Sequence, residues 1–326
     1  MSSDERAYGE QLEPHRRALH AHCYRMLGSV QDAEDAVQET LLRAWRGLDR
    51  FEGRSSLRSW LYSIATNVCL RMLERRPVRV LPIDYGPPSD PHAPFGPPLL
   101  ESTGIEPYPD AQVRLDEELA GPEARYEQRE AVELAFIAAL QHLPARQRAV
   151  LILRDVLGFS GSEVATALDT TPSSVYSLLQ RAHASLDDRL PEFSQQETLR
   201  SLGDQRLNAI VDRYVAAWVN NDVDALVEML TESATLSMPP TAGWLRGPDA
   251  IATSLRARPL DGTRSWRLWP TSANGQPAVG VYLLDRTGTY LPHHLAVLTL
   301  RAERIDEINA FHDHWAPERF GLPARA

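Results

Sequence analysis

From Pro77 to Pro109 the chain carries ten prolines and three glycines. Proline fixes φ and has no backbone N–H, so neither a helix nor a central strand survives at that density. The stretch, which reads RRPVRVLPIDYGPPSDPHAPFGPP in its first part, is therefore expected to be an extended connector. It divides the chain, and each flank must build a core without it. At 326 residues, two or three compact units are expected.

Ahead of the connector, residues 10–76 read as a helical domain. Leu19, Cys23, Met26, Leu27 and Val30 keep helical spacing, with a turn at Gly28-Ser29. A second helix runs from about Asp32 to Leu48, with Val37, Leu41, Ala44 and Leu48 on one stripe. A third, Ser56 to Arg75, carries Leu57, Trp60, Leu61, Ile64, Val68 and Leu73. A short basic turn, residues 49–55, lies between them.

The connector continues as an acidic linker to residue 122, and residues 123–190 are helical again. Two short helices, 161–168 and 173–186, meet at Asp169-Thr170-Thr171-Pro172-Ser173. Thr171 suits an N-cap and Pro172 the first helical position. Two short helices with a tight polar joint and apolar Val164, Leu168, Val175 and Leu179 are what a helix-turn-helix needs. Residues 204–326 change character. A helix is expected over 205–231 and another over 247–255, followed by strands over 264–273, 276–285, 291–301 and 304–312. The expected fold class is multidomain: two all-α domains joined by a proline-rich linker, then an α+β domain.

The net charge of −10 argues against a nucleic-acid partner only as an average. Residues 43–79 hold nine arginines against three acids, whereas residues 80–129 hold three arginines against ten acids. A basic block beside an acidic one steers one face toward phosphate while the other repels it. The chain has no lysine, so every cation is arginine, which suits bidentate contacts to phosphate or guanine. No run approaches the roughly 18 apolar residues of a membrane span. The polar start, MSSDERAYGEQLEPHRR, is no secretory signal, so a cytoplasmic protein without membrane contact is expected. Cys23 and Cys69 sit in apolar helical patterns and read as reduced core residues.

Asp32, Asp35 and Glu39 share a helix face, with Gln38 beside them. Alone they read as a solvated face; no nucleophile or metal ligand accompanies them to suggest acid–base work. Resemblance assigns them a role. LHAHCYRMLGSVQDAEDAVQETLLRAWRGLDRFEGRSSLRSWLYSIATNVCLRMLERR (19–76) resembles the second conserved region of extracytoplasmic-function (ECF) RNA polymerase sigma factors. LPARQRAVLILRDVLGFSGSEVATALDTTPSSVYSLLQRAHASL (143–186) resembles their fourth region.

The resemblance implies a sigma factor that binds core RNA polymerase and promoter DNA, through the clamp coiled coil and the flap of the large subunits. It places Asp32, Asp35, Gln38 and Glu39 against the clamp. Arg54, Ser55, Ser56, Arg58, Trp60, Asn67 and Arg71 would read and melt the minus-ten element, since melted DNA wants Arg for phosphate, aromatic faces for stacking and small polar groups for a flipped base. Trp60 lies on the apolar stripe and equally suits a core position. Ser173, Ser174, Tyr176, Ser177, Gln180 and Arg181, with His183, would face the major groove at the minus-thirty-five element. Here the sequence departs from the family: YSLLQRAH puts Tyr176 and Leu178 where cations are common, so this helix alone should hold phosphate weakly. The linker resembles the segment that threads the polymerase channel between the two sigma domains; plain disorder is the alternative.

Residues 210–240 and 244–255, with the closing strands, resemble the SnoaL-like, NTF2-like cone fold. Trp218, Met238, Trp244, Val281, His293 and Phe311 are expected to line its interior, leaving room for a small-molecule ligand. His312 and His314 alternate to one face of a strand, the spacing of two metal ligands, but no third is identifiable, so neither a metal nor a cofactor is expected. SnoaL relatives include cyclases and isomerases. The alternatives to a sigma factor with a built-in regulatory domain, itself no enzyme, are therefore a SnoaL-like enzyme or a plain helix-turn-helix regulator.

Overall fold

A computed structural model describes residues 11–53, 55–99, 104–113, 130–187, 189–191, 193–313 and 315–325. Two compact units emerge. One combines Met1–Arg79 with Gln112–Pro191, and the other combines Val80–Ala111 with Glu192–Ala326. The connector thus belongs to the second unit, although the chain on both sides of it belongs to the first.

In the helical unit, α1 (Arg16–Leu27) ends at Gly28, whose φ of 68° closes the helix in the left-handed region. Ser29 then caps α2 (Val30–Gly47) by accepting from the Asp32 N–H at 3.1 Å. Ser56 caps α3 (Leu57–Leu73) in the same way. After the connector come α4 (Leu134–Gln141) and α5 (Ala145–Leu151), which runs on as a π turn over Ile152–Val156. Then follow α6 (Gly161–Ala167) and α7 (Pro172–Asp187). The Ser160–Glu163 capping box opens α6, and Thr171 accepts from the Ser174 N–H at the head of α7, as the sequence predicts. Val37, Leu41 and Ala44 are buried, and so are both cysteines, which remain free thiols.

Polar groups buried inside this unit tie its parts together. The Arg148 guanidinium, almost fully buried, donates to the carbonyls of Met26, Gln141 (2.8 Å) and Leu143 (3.2 Å) and to Gln141 Oε1 (2.7 Å). One side chain of α5 thereby satisfies the C-terminal carbonyls of both α1 and α4. His22, fully buried, is bonded to Thr66 at 2.9 Å, and burial pushes its pKa down to about 3.

The second unit has a six-stranded mixed sheet in the order β2-β1-β6-β5-β4-β3. Its strands are β1 (Leu230–Ser237), β2 (Trp244–Arg246), β3 (Trp266–Ala273), β4 (Gln276–Leu284), β5 (Tyr290–Arg301) and β6 (Arg304–Phe311). Only β1 and β6 pair in parallel. Asn274 and Gly275, with φ of 56° and 69°, form the two-residue turn between β3 and β4. Helices α8 (Gln195–Val219), α9 (Val223–Glu228) and α10 (Pro248–Ala257) cover the sheet. Tyr214, Trp218, Leu226 and Ile251 from these helices meet Val279, Val281, Ala296 and Leu298 from the sheet in one core.

The last four strands lie within two residues of their expected positions. The helix expected over 205–231 instead stops at Val219, resumes over Val223–Glu228 and gives way to β1 at Leu230. Neither β1, LTESATLS, nor the three-residue β2 alternates clearly enough to be read from sequence, and β1 is a strand because it pairs with the distant β6.

Replacing Arg148 with Met keeps the volume but leaves several buried carbonyls unpaired. The helical unit should lose about 3 kcal/mol or more, read as a lower urea midpoint with unchanged slope. His22 should also set an acid limit. Its folded pKa lies below its unfolded value, so the stability it contributes is complete above about pH 6.5 and is lost as pH falls toward about 3. Thermal melting across that range should show a shallower acid slope for His22→Gln.

Candidate functional site

The acidic face of α2 is divided. Asp35 and Gln38 are exposed, and Glu39 is half-buried in an ion pair with Arg43 at 2.5 Å. Asp32 is buried, with its carboxylate held by Arg76 and, at 2.8 Å, by Arg79. It therefore anchors the chain leaving α3 to the head of α2, while its three neighbours remain accessible.

The side chains expected to read the minus-ten element lie along the start and outer face of α3, with Arg54 outside the described residues. Ser55, Ser56, Arg58 and Arg71 are exposed. Trp60 is half-buried and packs on Phe51 at 4.9 Å between ring centroids. Several members of this face are engaged by the helix-turn-helix segment. The Arg58 guanidinium donates to the Leu157 carbonyl at 3.0 Å and lies 4.5 Å over the Phe159 ring. Ser59 donates to Glu163 at 2.9 Å, and the Asn67 amide donates to the Ala167 carbonyl at 3.1 Å. The face that melted DNA would need is thus partly used up inside the protein.

The outer face of α7 is open by contrast. Ser173, Tyr176, Ser177, Gln180 and Arg181 are exposed, and Ser174, whose N–H serves the cap, is half-buried. His183 pairs with Asp155 at 2.6 Å. One cation on this face is a thin supply for phosphate.

The connector lies on the cone. Trp244 does not line the cone's interior; its indole N–H donates to the Gly86 carbonyl at 2.9 Å, and its backbone carbonyl accepts from the Ser89 N–H at 2.7 Å. Arg258 donates to the Pro91 carbonyl at 3.0 Å, and the Leu99 N–H donates to the Pro240 carbonyl. Farther on, Tyr108 and Asn274 exchange two bonds of 2.8 Å. The cone encloses a cavity of about 500 Å³, within the range of small-molecule sites. Trp218, Met238 and His293 line it as expected, joined by Tyr214, His294 and His312, while Val281 packs in the main core. Pro94, Phe95 and Pro98 of the connector also line it. The Tyr214 hydroxyl is buried without a hydrogen-bond partner, the Trp218 indole lying near but out of bonding geometry, and burial raises its pKa.

Sequence reasoning did not foresee the histidine cluster. Neighbouring residues of a strand point to opposite faces, so His293 and His294 should diverge. However, Val281 pairs with His294 and Tyr282 with Pro292, which leaves His293 as the extra residue of a β-bulge. The bulge turns His293 to the side of His294, and their Nδ1 atoms stand 2.9 Å apart. His312 follows directly on β6, whose Phe311 pairs with Leu295, and so arrives opposite them. His314 lies outside the described residues. Desolvation holds His293 and His312 down to about 4 and His294 well below its ordinary value, so all three are neutral at pH 7.

Comparison with known proteins agrees with this layout. The Sigma-70 region 2 family matches residues 12–77, Sigma-70 region 4 matches 133–186, and the SnoaL-like domain matches 211–315. Over 326 aligned residues the chain is 45% identical to the ECF RNA polymerase sigma factor SigG of Mycobacterium tuberculosis, spanning 98% of this chain and 86% of that protein. The chain is an ECF RNA polymerase sigma factor. The RNA polymerase sigma factor NccH of Alcaligenes xylosoxydans xylosoxydans is 33% identical over 185 residues, which is 56% of this chain and 86% of NccH. The crystal structure of the Mycobacterium tuberculosis sigma factor SigJ shares the fold, with a TM-score of 0.57 over 97% of this chain and 99% of that one at 21% identity. No described helix of the sigma factor is long and apolar enough to cross a membrane.

Gly243 sits against the connector, and a Cβ there would come within 2.2 Å of Phe95 Cδ1. Gly243→Ala should therefore displace Phe95 from the cavity wall and leave the sheet intact. Chymotryptic cleavage within residues 85–99 should accelerate about 5- to 30-fold, the factor for losing one or two kcal/mol of docking. An unchanged cleavage rate would show that the Phe95 contact holds nothing in place.

Proposed function

We propose that the C-terminal domain of this sigma factor regulates it by holding the connector that joins the two DNA-reading regions. The observation that carries this reading is the set of bonds from Trp244, Arg258, Pro240 and Asn274 to connector residues 86–108. A connector engaged on the cone is unavailable to thread a polymerase channel. The contacts of Arg58, Ser59 and Asn67 with the helix-turn-helix segment support the same reading, because each must break before α3 meets promoter DNA.

In the released form, Asp35, Gln38 and Glu39 meet the polymerase clamp coiled coil, with Asp32 fixing the helix through its two arginines. The helix-turn-helix region meets the flap. Arg54, Ser55, Ser56, Arg58, Trp60, Asn67 and Arg71 read and melt the minus-ten element, and the exposed face of α7 from Ser173 to Arg181 reads the minus-thirty-five element. A small molecule in the cavity would touch Phe95 and so bias connector release, because a ligand shifts an equilibrium by its differential affinity for the two states.

Reconstituted transcription with core polymerase tests the regulatory reading. Phe95→Ala combined with Trp244→Phe removes a cavity-lining ring and an indole hydrogen bond without touching the sigma regions. Transcripts from a cognate promoter should rise about 5-fold or more, the effect of one lost kcal/mol of restraint. Unaltered or reduced output from a variant that still melts cooperatively would sink the regulatory reading and leave the family assignment intact.

A further inference from the structure

The bulge at His293 assembles more than a cavity wall. The ligating nitrogens of His293, His294 and His312 all lie within 4.8 Å of one another, and the closest pair is 2.9 Å apart. Around a tetrahedral ion with metal–nitrogen bonds of about 2.0–2.1 Å, ligand nitrogens stand about 3.4 Å apart, a value this set brackets. The ring centroids, separated by 4.8, 5.0 and 5.2 Å, form a near-equilateral triangle. Small rotations of rings already in place would close it around one ion.

The surroundings suit a preformed site. The Trp266 ring packs edge-on against His293 at 5.2 Å, and the Trp218 ring lies 5.7 Å from His294, which limits the rotations open to either imidazole. Two facing Nδ1 atoms at 2.9 Å can share only one proton between them, whereas a cation satisfies both lone pairs. Pro94, Phe95 and Pro98 of the connector line the same cavity.

We propose that His293, His294 and His312 bind one first-row divalent cation, zinc being the ion whose coordination they fit, with a fourth position open to the cavity. Three imidazoles match zinc, iron, nickel or copper in preference to magnesium or calcium, which take oxygen ligands. Three protein ligands with one vacancy is the pattern of a site that also takes a water or an exogenous donor. Arg258 and Arg264 line the same cavity, so the donor favoured at that vacancy is an anionic oxygen such as a carboxylate. The Arg264 guanidinium is bonded to the Arg258 carbonyl and exposed, where solvent screens its repulsion of the ion. The sequence shows no co-ligand for His312 beyond His314 because His293 and His294 lie on a different strand, one of them in a bulge.

The test uses the untagged full-length chain, stripped with chelator and titrated with cobalt as a spectroscopic stand-in. One equivalent should bind with the intense visible absorption of a low-coordinate nitrogen site and be displaced by zinc. His293→Gln and His312→Gln, at half-buried positions, should each weaken binding at least tenfold and abolish the absorption while melting like the metal-free parent. Absence of stoichiometric binding, or binding that persists in the double variant, overturns the site. If either variant fails to fold, X-ray absorption at the zinc edge of the parent protein decides. A shell of three imidazoles supports the proposal; a sulfur or all-oxygen shell, pointing to Cys23 and Cys69 or to surface carboxylates, overturns it.

Discussion

A chain with ten prolines in thirty-three residues has few N–H groups with which to build structure of its own, and its carbonyls still need donors. Segment 80–111 meets that need by borrowing from the cone: an indole N–H for Gly86, a guanidinium for Pro91, the Asn274 backbone N–H for Tyr108. The rest of the molecule depends on this loan. In the chain the segment lies between α3 and α4, and the donors that its own sequence lacks come from the cone. Most of these bonds are neutral and partly solvated, each worth about 1 kcal/mol. Together they hold the segment against the cone.

Inside the helical unit, burial decides which contacts are durable. The Arg148 bonds are buried and charge-assisted, at the strong end of about 1.5–3 kcal/mol each. The bonds from Arg58 and Ser59 to the helix-turn-helix segment are exposed, where water competes for every donor. The outer face of α3 is therefore covered by the weaker set. Opening that face costs less than dismantling the helical packing around Arg148, which is the ordering a protein needs if it is to expose a DNA-reading surface without unfolding.

Much of the fold was legible because its signals are local. The αL glycine at residue 28, the serine and threonine caps at Ser29, Ser56 and Thr171, and the period-two runs of β3 to β6 each follow from a few neighbouring residues. The candidate DNA-reading face of α7 was legible for the same reason. Unreadable were β1 and β2, made strands by distant partners, and the true places of Trp244 and Asp32. An apolar tryptophan and a surface-patterned aspartate look the same in sequence whether or not a distant Gly86 carbonyl or Arg79 guanidinium reaches them.

By itself, then, the sequence determined the helical blocks, the last four strands of the sheet, the exclusion of a long helix or central strand from residues 77–109, and membership of the ECF sigma family through motifs contiguous in the chain. Tertiary structure alone decided where the connector rests, which side chains on the outer face of α3 are engaged, and that three histidines converge. The physical reason is separation along the chain. A cap or an amphipathic stripe is encoded within one or two turns, whereas the partner of a proline-rich carbonyl, or of a bulged histidine, lies wherever the fold brings it.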